Sequence, residues 1–240
     1  MLSAEIKNLS LKKIDNRTLL SDISFTLNNG NLYSVLGENG SGKSTLLKAL
    51  TGLLDKRFYN IDGKILIDGT DILSANENVL LELRRNKIKY VMQDAMNSFD
   101  HLKRMEYYFK RIVKDSSEIN ELLEYFKLPE QTKLFKLYAY ELSGGMAQRV
   151  SFVLALLSHP KIILLDEPTS GIDSASANLF LLKLKEYTAQ KNNLVLLVTH
   201  DLQFAEKSSD KIALLSNGTL SDFIPVQEFF NSEIYKTAYA

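Results

Sequence analysis

The stretch GENGSGKST, residues 37–45, decides the fold: it sets three glycines beside one lysine, among hydroxyl and amide side chains. The apolar run NLYSVL precedes it and LLKAL follows, so the order is buried strand, loop, helix. Gly37, Gly42, Lys43 and Ser44 match G-x-x-x-x-G-K-[ST]. Such a loop turns backbone N–H groups inward around phosphate oxygens, and the helix behind it points its positive end at the same anion. Asn39, Gly40, Ser41 and Thr45 belong to the same cradle. Lys43 can reach the β- and γ-phosphates, and the Ser44 hydroxyl can ligate Mg²⁺. A dinucleotide fingerprint does not fit, because its third glycine would fall on Thr45.

Working outward, the chain alternates apolar runs with helical stretches, the mark of an α/β sheet covered on both faces. Strands are expected over 2–11, 19–27 and the run ending at Gly37, then at GKILIDGTDI, IKYVMQD, KIILLDEPT and NLVLLVTH. Residues 43–51 read as a helix with Leu46, Leu47 and Leu50 on one face and Gly52 past its end. Residues 175–191 read as an amphipathic helix. KIALLSNGTL fits a terminal hairpin turning at Asn-Gly. Between 95 and 141, Lys, Glu, Tyr and Phe at helical spacing replace the β-branched runs, which predicts a helical insertion. Residues 221–240 form a short, partly helical tail.

With 240 residues and 45% apolar content, one large domain with an insertion can bury a substantial core. Twenty-nine basic residues balance twenty-nine acidic ones, which gives no support for nucleic-acid binding. The absence of cysteine excludes disulfides, zinc–thiolate sites and iron–sulfur clusters within this chain. The opening MLSAEIKNLSLKKID is too polar for a secretory signal, and the longest apolar runs fall far short of the ~20 residues a spanning helix needs. The sequence therefore predicts a chain that is soluble by itself and held at a membrane, if at all, by other subunits.

IILLDEPT ends a buried strand on two acids, where α/β folds bind ligands. Asp166 suits a Mg²⁺ coordination sphere, and Glu167 can polarise a water for attack on a γ-phosphate. ELSGGMAQRV, residues 141–150, opens a second helix on Ser143, Gly144 and Gly145. Taken alone this is an ordinary N-cap. Beside the first cradle it is a second anion-reading helix start, which suggests two chains meeting head to tail, each lending its second site to the other's nucleotide.

The ordered set GENGSGKST, YVMQD, LSGGM, LLDEPTSGID and LLVTH resembles the nucleotide-binding subunit of ABC transporters over nearly the whole chain. The resemblance implies a P-loop NTPase core with a mostly parallel sheet, an N-terminal antiparallel β subdomain and an inserted α-helical subdomain. It divides the single domain into a core of 1–94 and 150–220, a helical signature subdomain of 95–149 and a tail of 221–240. It implies ATP and Mg²⁺ as ligands. Gln93 would touch Mg²⁺ and the attacking water and sense the membrane partner. Ser143 and Gly145 would contact the γ-phosphate held by the opposite subunit, and Asp173 would link the two sites. His200 would be the switch histidine on the γ-phosphate. His101 and His159 match nothing and read as surface or packing residues.

YVMQDAMNSFD, and Met146 where most members carry glutamine, are similar to the branch that imports peptides, nickel and metal chelates. In that branch a heterodimer with a paralogous ATPase is expected before a homodimer. Two transmembrane permease subunits would hold the pair at the cytoplasmic face of the membrane, and an extracytoplasmic binding protein would act indirectly. Ile14 stands where most members stack an aromatic ring on adenine, so ATP and GTP are expected to compete similarly. Many branch members have a C-terminal extension, whereas this chain is expected to stop soon after the core. YAYELSGG lacks the proline often found ahead of the signature, and no consequence attaches to that. Two rival readings share the motifs: a non-transport ATPase of DNA repair, chromosome organisation or translation, and a regulatory nucleotide-binding module. A single cassette without heptads argues against the first, and the intact Glu167 and His200 against the second.

Overall fold

The computed structural model describes residues 1–12, 17–112 and 116–239. In chain order, the elements begin with β1 (Leu2–Leu11), β2 (Thr18–Leu27), β3 (Leu32–Leu36), α1 (Lys43–Leu50), β4 (Tyr59–Ile67), β5 (Thr70–Asp71), α2 (Glu77–Asn86) and β6 (Ile88–Val91). A helical run follows, with α3 (Met105–Ile112), α4 (Ser116–Tyr125), α5 (Gln131–Leu134) and α6 (Gly144–Leu157), and 3-10 turns at Met96–Ser98 and Ala139–Glu141. The chain closes with β7 (Ile162–Asp166), α7 (Ser174–Ala189), β8 (Leu194–Thr199), α8 (Leu202–Ser208), β9 (Lys211–Ser216), β10 (Thr219–Leu220), β11 (Ile224–Pro225), α9 (Val226–Asn231) and α10 (Glu233–Tyr239).

Two sheets result. The first is antiparallel, in the order β2-β1-β4-β5. The second runs β10-β9-β3-β8-β7-β6, with β11 also on β9. Its five central strands, β9 to β6, are parallel, and β10 and β11 pair antiparallel with β9. Every residue of β3, β7 and β8 is buried, as parallel strands covered on both faces require. Alternation then sorts their side chains. Ile162 and Leu164 of β7 join Leu46, Leu47 and Leu50 of α1 beneath the antiparallel sheet. Ile163 and Leu165 face the opposite core, where Phe126, Phe152 and Phe180 meet. Phe152 stacks on Phe180 at 4.5 Å between centroids, and Phe126 meets both edge-on.

The segments around 95–141 are helical, as the composition suggests. Asn217 and Gly218, both with positive φ, turn β9 into β10. Several elements are not among those expected from the sequence. α2 is capped by Asn76, whose side chain accepts from Val79 N, and buries Leu80 and Leu83. β4 starts at Tyr59 instead of Gly63, because its first residues pair with the end of β1 beyond an irregularity at Ile6/Asn8. α8 and β11 are likewise unanticipated. No described helix is long and apolar enough to cross a membrane.

The strand register fixes the site. Leu36 of β3 lies opposite Thr199 of β8, Val198 of β8 opposite Asp166 of β7, and Leu165 of β7 opposite Val91 of β6. The four strands thus end level, and the residues that follow them, Gly37, His200, Glu167 and the Met92–Gln93 pair, gather at one edge.

Candidate active site

The loop between β3 and α1 sits tightly against its supports. A Cβ on Gly37 would come within 2.5 Å of the Leu215 carbonyl oxygen. Gly42 has φ +105°, and a Cβ there would lie 2.8 Å from Leu20 Cδ2. Both positions therefore demand glycine. Gly42 caps α1 without a side-chain bond, and the first turn carries no acid, so the helix end stays positive toward the cleft.

Lys43, only 6% exposed, folds back over the loop. Its Nζ donates to the carbonyls of Gly37 (2.8 Å) and Glu38 (3.0 Å) and lies 3.3 Å from Glu167 Oε1. The neighbouring Ser44 Oγ donates to Asp166 Oδ1 at 3.0 Å. Tyr90 OH donates to the other Asp166 oxygen at 2.7 Å. Burial first, and then the adjacent Asp166 carboxylate, push the Tyr90 phenol far above its ordinary pKa, so it remains a donor.

Glu167 is 4% exposed, and its two oxygens differ. Oε2 is anchored by Thr199 Oγ1 (3.0 Å), by the backbone N–H of His200 (3.3 Å) and by His200 Nδ1 (2.9 Å). Oε1 is buried and makes no hydrogen bond among the described residues, and the Lys43 ammonium lies beside it. The Glu167 backbone is left-handed, φ +47°, uncommon for a residue with a side chain.

Asn39, Gly40, Gly42, Lys43, Ser44, Thr45, Gln93 and Glu167 line one cleft. Ser41 lines the adjoining hollow with Arg17 and Leu215 instead, and its Oγ is buried without a partner among the described residues. Ile14, expected near the base, lies outside the described residues.

The second helix start stands apart from this cleft. Ser143 caps α6, its Oγ accepting from Met146 N at 3.2 Å. Gly144 lines a separate hollow with Ser170 and Gly171, and Gln93 is the residue common to both cavities. Asp173 caps α7: Oδ1 accepts from Ser176 N (2.9 Å) and Oδ2 from Ser176 Oγ (2.8 Å). Those bonds, the backbone one foremost, hold its carboxyl below the usual range. His159 is exposed and pairs with Glu118 at 3.1 Å. His101 is exposed as well.

Tyr90 and Thr199 belong to the site; they stand within YVMQD and LLVTH, but the sequence assigns them no role. Each lies on a strand, half-buried for Tyr90 and buried for Thr199, and the register brings it to an acid.

The donor set fits a hard divalent cation. A serine hydroxyl and a buried carboxylate already share a bond, Gln93 lies in the same cleft, and no cluster of three or more His, Cys, Asp or Glu is found among the described residues. Mg²⁺ characteristically takes one or two protein oxygens and completes its shell with phosphate and water, so this sparse set suits it.

The ABC transporter family model matches residues 20–170. The metal-staphylopine import system ATP-binding protein CntD of Staphylococcus aureus is 34% identical over 211 residues, covering 84% of this chain and 78% of that one. The oligopeptide transport ATP-binding protein OppD of Salmonella typhimurium is 31% identical over 227 residues, covering 91% and 68% respectively. Among solved structures, a dimeric ATP-binding cassette in a post-hydrolysis state bound to ADP and Pi superposes with a TM-score of 0.81 at 24% identity, over 94% of this chain and 99% of that one.

Proposed function

This chain belongs to the ABC transporter family of ATPases, and from that footing we propose that it is the ATP-hydrolysing subunit of an importer of the peptide, nickel or metal-chelate type. The observation that carries the reading is the convergence of Lys43, the Ser44–Asp166 pair and the Glu167–His200 pair on one cleft at the ends of parallel strands. The names of the similar importer subunits support the branch.

In this reading the amides of the 37–45 loop and the start of α1 hold the β- and γ-phosphates of ATP. Ser44, Asp166 and Gln93 would hold Mg²⁺. When bound, that ion supplies positive charge beside the phosphate oxygens and neutralises what develops there as the γ-phosphoryl group departs. Lys43 exchanges its two loop carbonyls and Glu167 for phosphate oxygens. That exchange leaves Glu167 Oε1 without its cation. Oε2 stays anchored on Thr199 and His200, so Oε1 is the oxygen free to accept a proton from the attacking water. His200, its side chain about half exposed, can turn its other ring nitrogen to the γ-phosphate while Nδ1 stays on Glu167.

Ser143, Gly144 and Gly145 do not line this chain's own cleft, which supports a head-to-tail pair in which each α6 start closes the partner's nucleotide site. A paralogous ATPase is the proposed partner, with Asp173 near the junction. Two permease subunits hold the pair at the cytoplasmic face, the helices of 95–149 press on their loops, and an extracytoplasmic binding protein delivers cargo to them. ATP favours the closed pair because only that form offers both halves of each site.

Glu167→Gln keeps the hydrogen bonds to Oε2 but removes the base. ATP binding should persist while phosphate release from the purified subunit pair is lost and a closed dimer accumulates on sizing. Near wild-type turnover in that variant contradicts the role given to Glu167. Isolation of the tagged chain from detergent-solubilised membranes, with identification of co-purifying subunits, tests the importer assignment separately.

A further inference from the structure

Gln148 sits in the second turn of α6 at 2% exposure, and its Nε2 is buried with no hydrogen-bond partner among the described residues. A buried amide nitrogen without a partner is destabilising, and a second arrangement that pairs it would relieve that cost. The side chain faces the hollow bounded by Gln93 and Asp94 on one side and by Gly144, Ser170 and Gly171 on the other. The Asp94 carboxylate is committed to Asn97, accepting from its N–H (3.2 Å) and Nδ2 (2.6 Å). The Ala95 carbonyl is committed to the N–H and hydroxyl of Ser98. These bonds tie the turn after Gln93 together. The main-chain carbonyls of Gln93 and Asp94 accept no hydrogen bond among the described residues, and both residues line the hollow that Gln148 also lines.

Gln93 lines both this hollow and the nucleotide cleft. A movement of Gln93 toward a bound phosphate therefore reshapes the wall facing Gln148. We propose that Gln148 is a positioning residue for ATP hydrolysis: its amide donates to a main-chain carbonyl of the Gln93–Asp94 segment in the nucleotide-bound form, locking that segment to the start of α6. The signature helix thereby reports the occupancy of its own chain's cleft to the partner site that the helix completes. The inference rests on the ATPase reading above and adds to it a residue that touches neither nucleotide nor metal.

The test uses the full-length chain as wild type, Gln148→Met and Gln148→Glu, alone for melting and in the purified subunit pair for ATPase kinetics. Methionine keeps the length and removes the amide; glutamate keeps polarity and removes the donor. Without nucleotide, Gln148→Met should melt at or above the wild-type temperature, because the unpaired amide is gone. With Mg²⁺ and a non-hydrolysable ATP analogue, its stabilisation should be smaller than that of wild type. Both variants should lose roughly three- to tenfold in kcat, the worth of one hydrogen bond made in the working form, with KM for ATP within about twofold. A residue serving only the core would give the opposite pattern, a lower melting temperature with kcat retained. Melting of Gln148→Met below wild type without nucleotide, or wild-type kcat in that variant, overturns the proposal. If the pair carrying the wild-type chain hydrolyses no ATP, the ATPase reading fails instead, and the nucleotide-free melting order and the analogue-induced shift still decide for or against Gln148.

Discussion

Thr199→Val isolates the orientation of Glu167 from its chemistry. Thr199 is fully buried at the end of β8 and its hydroxyl does two things. It donates to Glu167 Oε2 at 3.0 Å, and it accepts from Asp201 N at 3.0 Å, just ahead of α8. Valine has nearly the same shape, so no cavity forms, but both bonds go. A hydrogen bond to a charged group contributes about 1.5–3 kcal/mol and a neutral one about 1 kcal/mol. The backbone N–H and ring of His200 still hold Oε2, so relaxation recovers part of the loss, and a net cost of about 2 kcal/mol is expected. In a domain of this size that corresponds to a fall in Tm of roughly 4–8 °C. In the ATPase assay the loss falls on kcat. A base free to rotate away from the attacking water at a cost reduced by about 1.4–2.8 kcal/mol lowers kcat about 10- to 100-fold. KM for ATP should stay within about twofold, because Lys43 and Ser44, proposed to hold phosphate and Mg²⁺, are untouched. Thr199→Ser, which keeps the hydroxyl, should recover most of both losses. If Thr199→Val turns over within about twofold of wild type, or if serine rescues nothing, Thr199 does not position Glu167.

Two further outcomes are expected. Tyr90→Phe strips one donor from the buried Asp166 carboxylate, so the fold should lose roughly 1–3 kcal/mol. The Mg²⁺ concentration for half-maximal ATPase should rise at least about tenfold, as for loss of an outer-shell partner of a metal ligand; an unchanged Mg²⁺ titration contradicts the place given to Asp166. Asp173→Ala removes the cap of α7. Because the folded Asp173 carboxyl titrates below its unfolded value of about 3.9, its contribution is complete above that pH and disappears as the pH falls through the lowered value. Melting curves should show wild type above the alanine variant at pH 7, with the gap closing only in the acid range below about pH 4; a gap that closes between pH 7 and 5 refutes the assignment.

The parts of the molecule legible in the sequence are those whose physics is local. β3, β7 and β8 read as unbroken apolar runs because both of their faces are covered, and the loops after them show as glycine, acid or histidine at a run's end. The convergence of Lys43, Asp166, Glu167 and His200 could be anticipated because each ends or follows a strand that must end at the same edge of a parallel sheet. Tyr90 and Thr199 could not. Each is an ordinary strand residue by composition, and it meets an acid only through a register that pairs Val91 with Leu165 and Asp166 with Val198. α2 had a signal, with Asn76 as cap, Leu80 and Leu83 on the inner face and Arg84 and Arg85 in the last turn. An exposed Leu81 and a charged flank blur its periodicity. The early start of β4 has no local sign, since Tyr59–Asp62 extend only because the far end of β1 lies beside them.

The acidic pair carries a geometric requirement that the motif does not reveal. In a regular strand, successive side chains point to opposite faces, so Asp166 and Glu167 could not both serve one cleft. Yet they meet adjacent residues of α1, Asp166 taking the Ser44 hydroxyl and Glu167 the Lys43 ammonium. The left-handed backbone at Glu167 resolves the conflict. With φ +47° immediately after β7, the chain turns and the second carboxylate swings back to the side of the first. That conformation costs a non-glycine residue roughly 1–2 kcal/mol. It is held by Glu167 N donating to the Val198 carbonyl at 2.9 Å and by the three donors on Oε2. All four contacts come from β8 and the residue that follows it. The strand supplying Thr199 and His200 is therefore the support for the bend as well as the source of the histidine, and the acids, the threonine and the histidine form one mechanical unit.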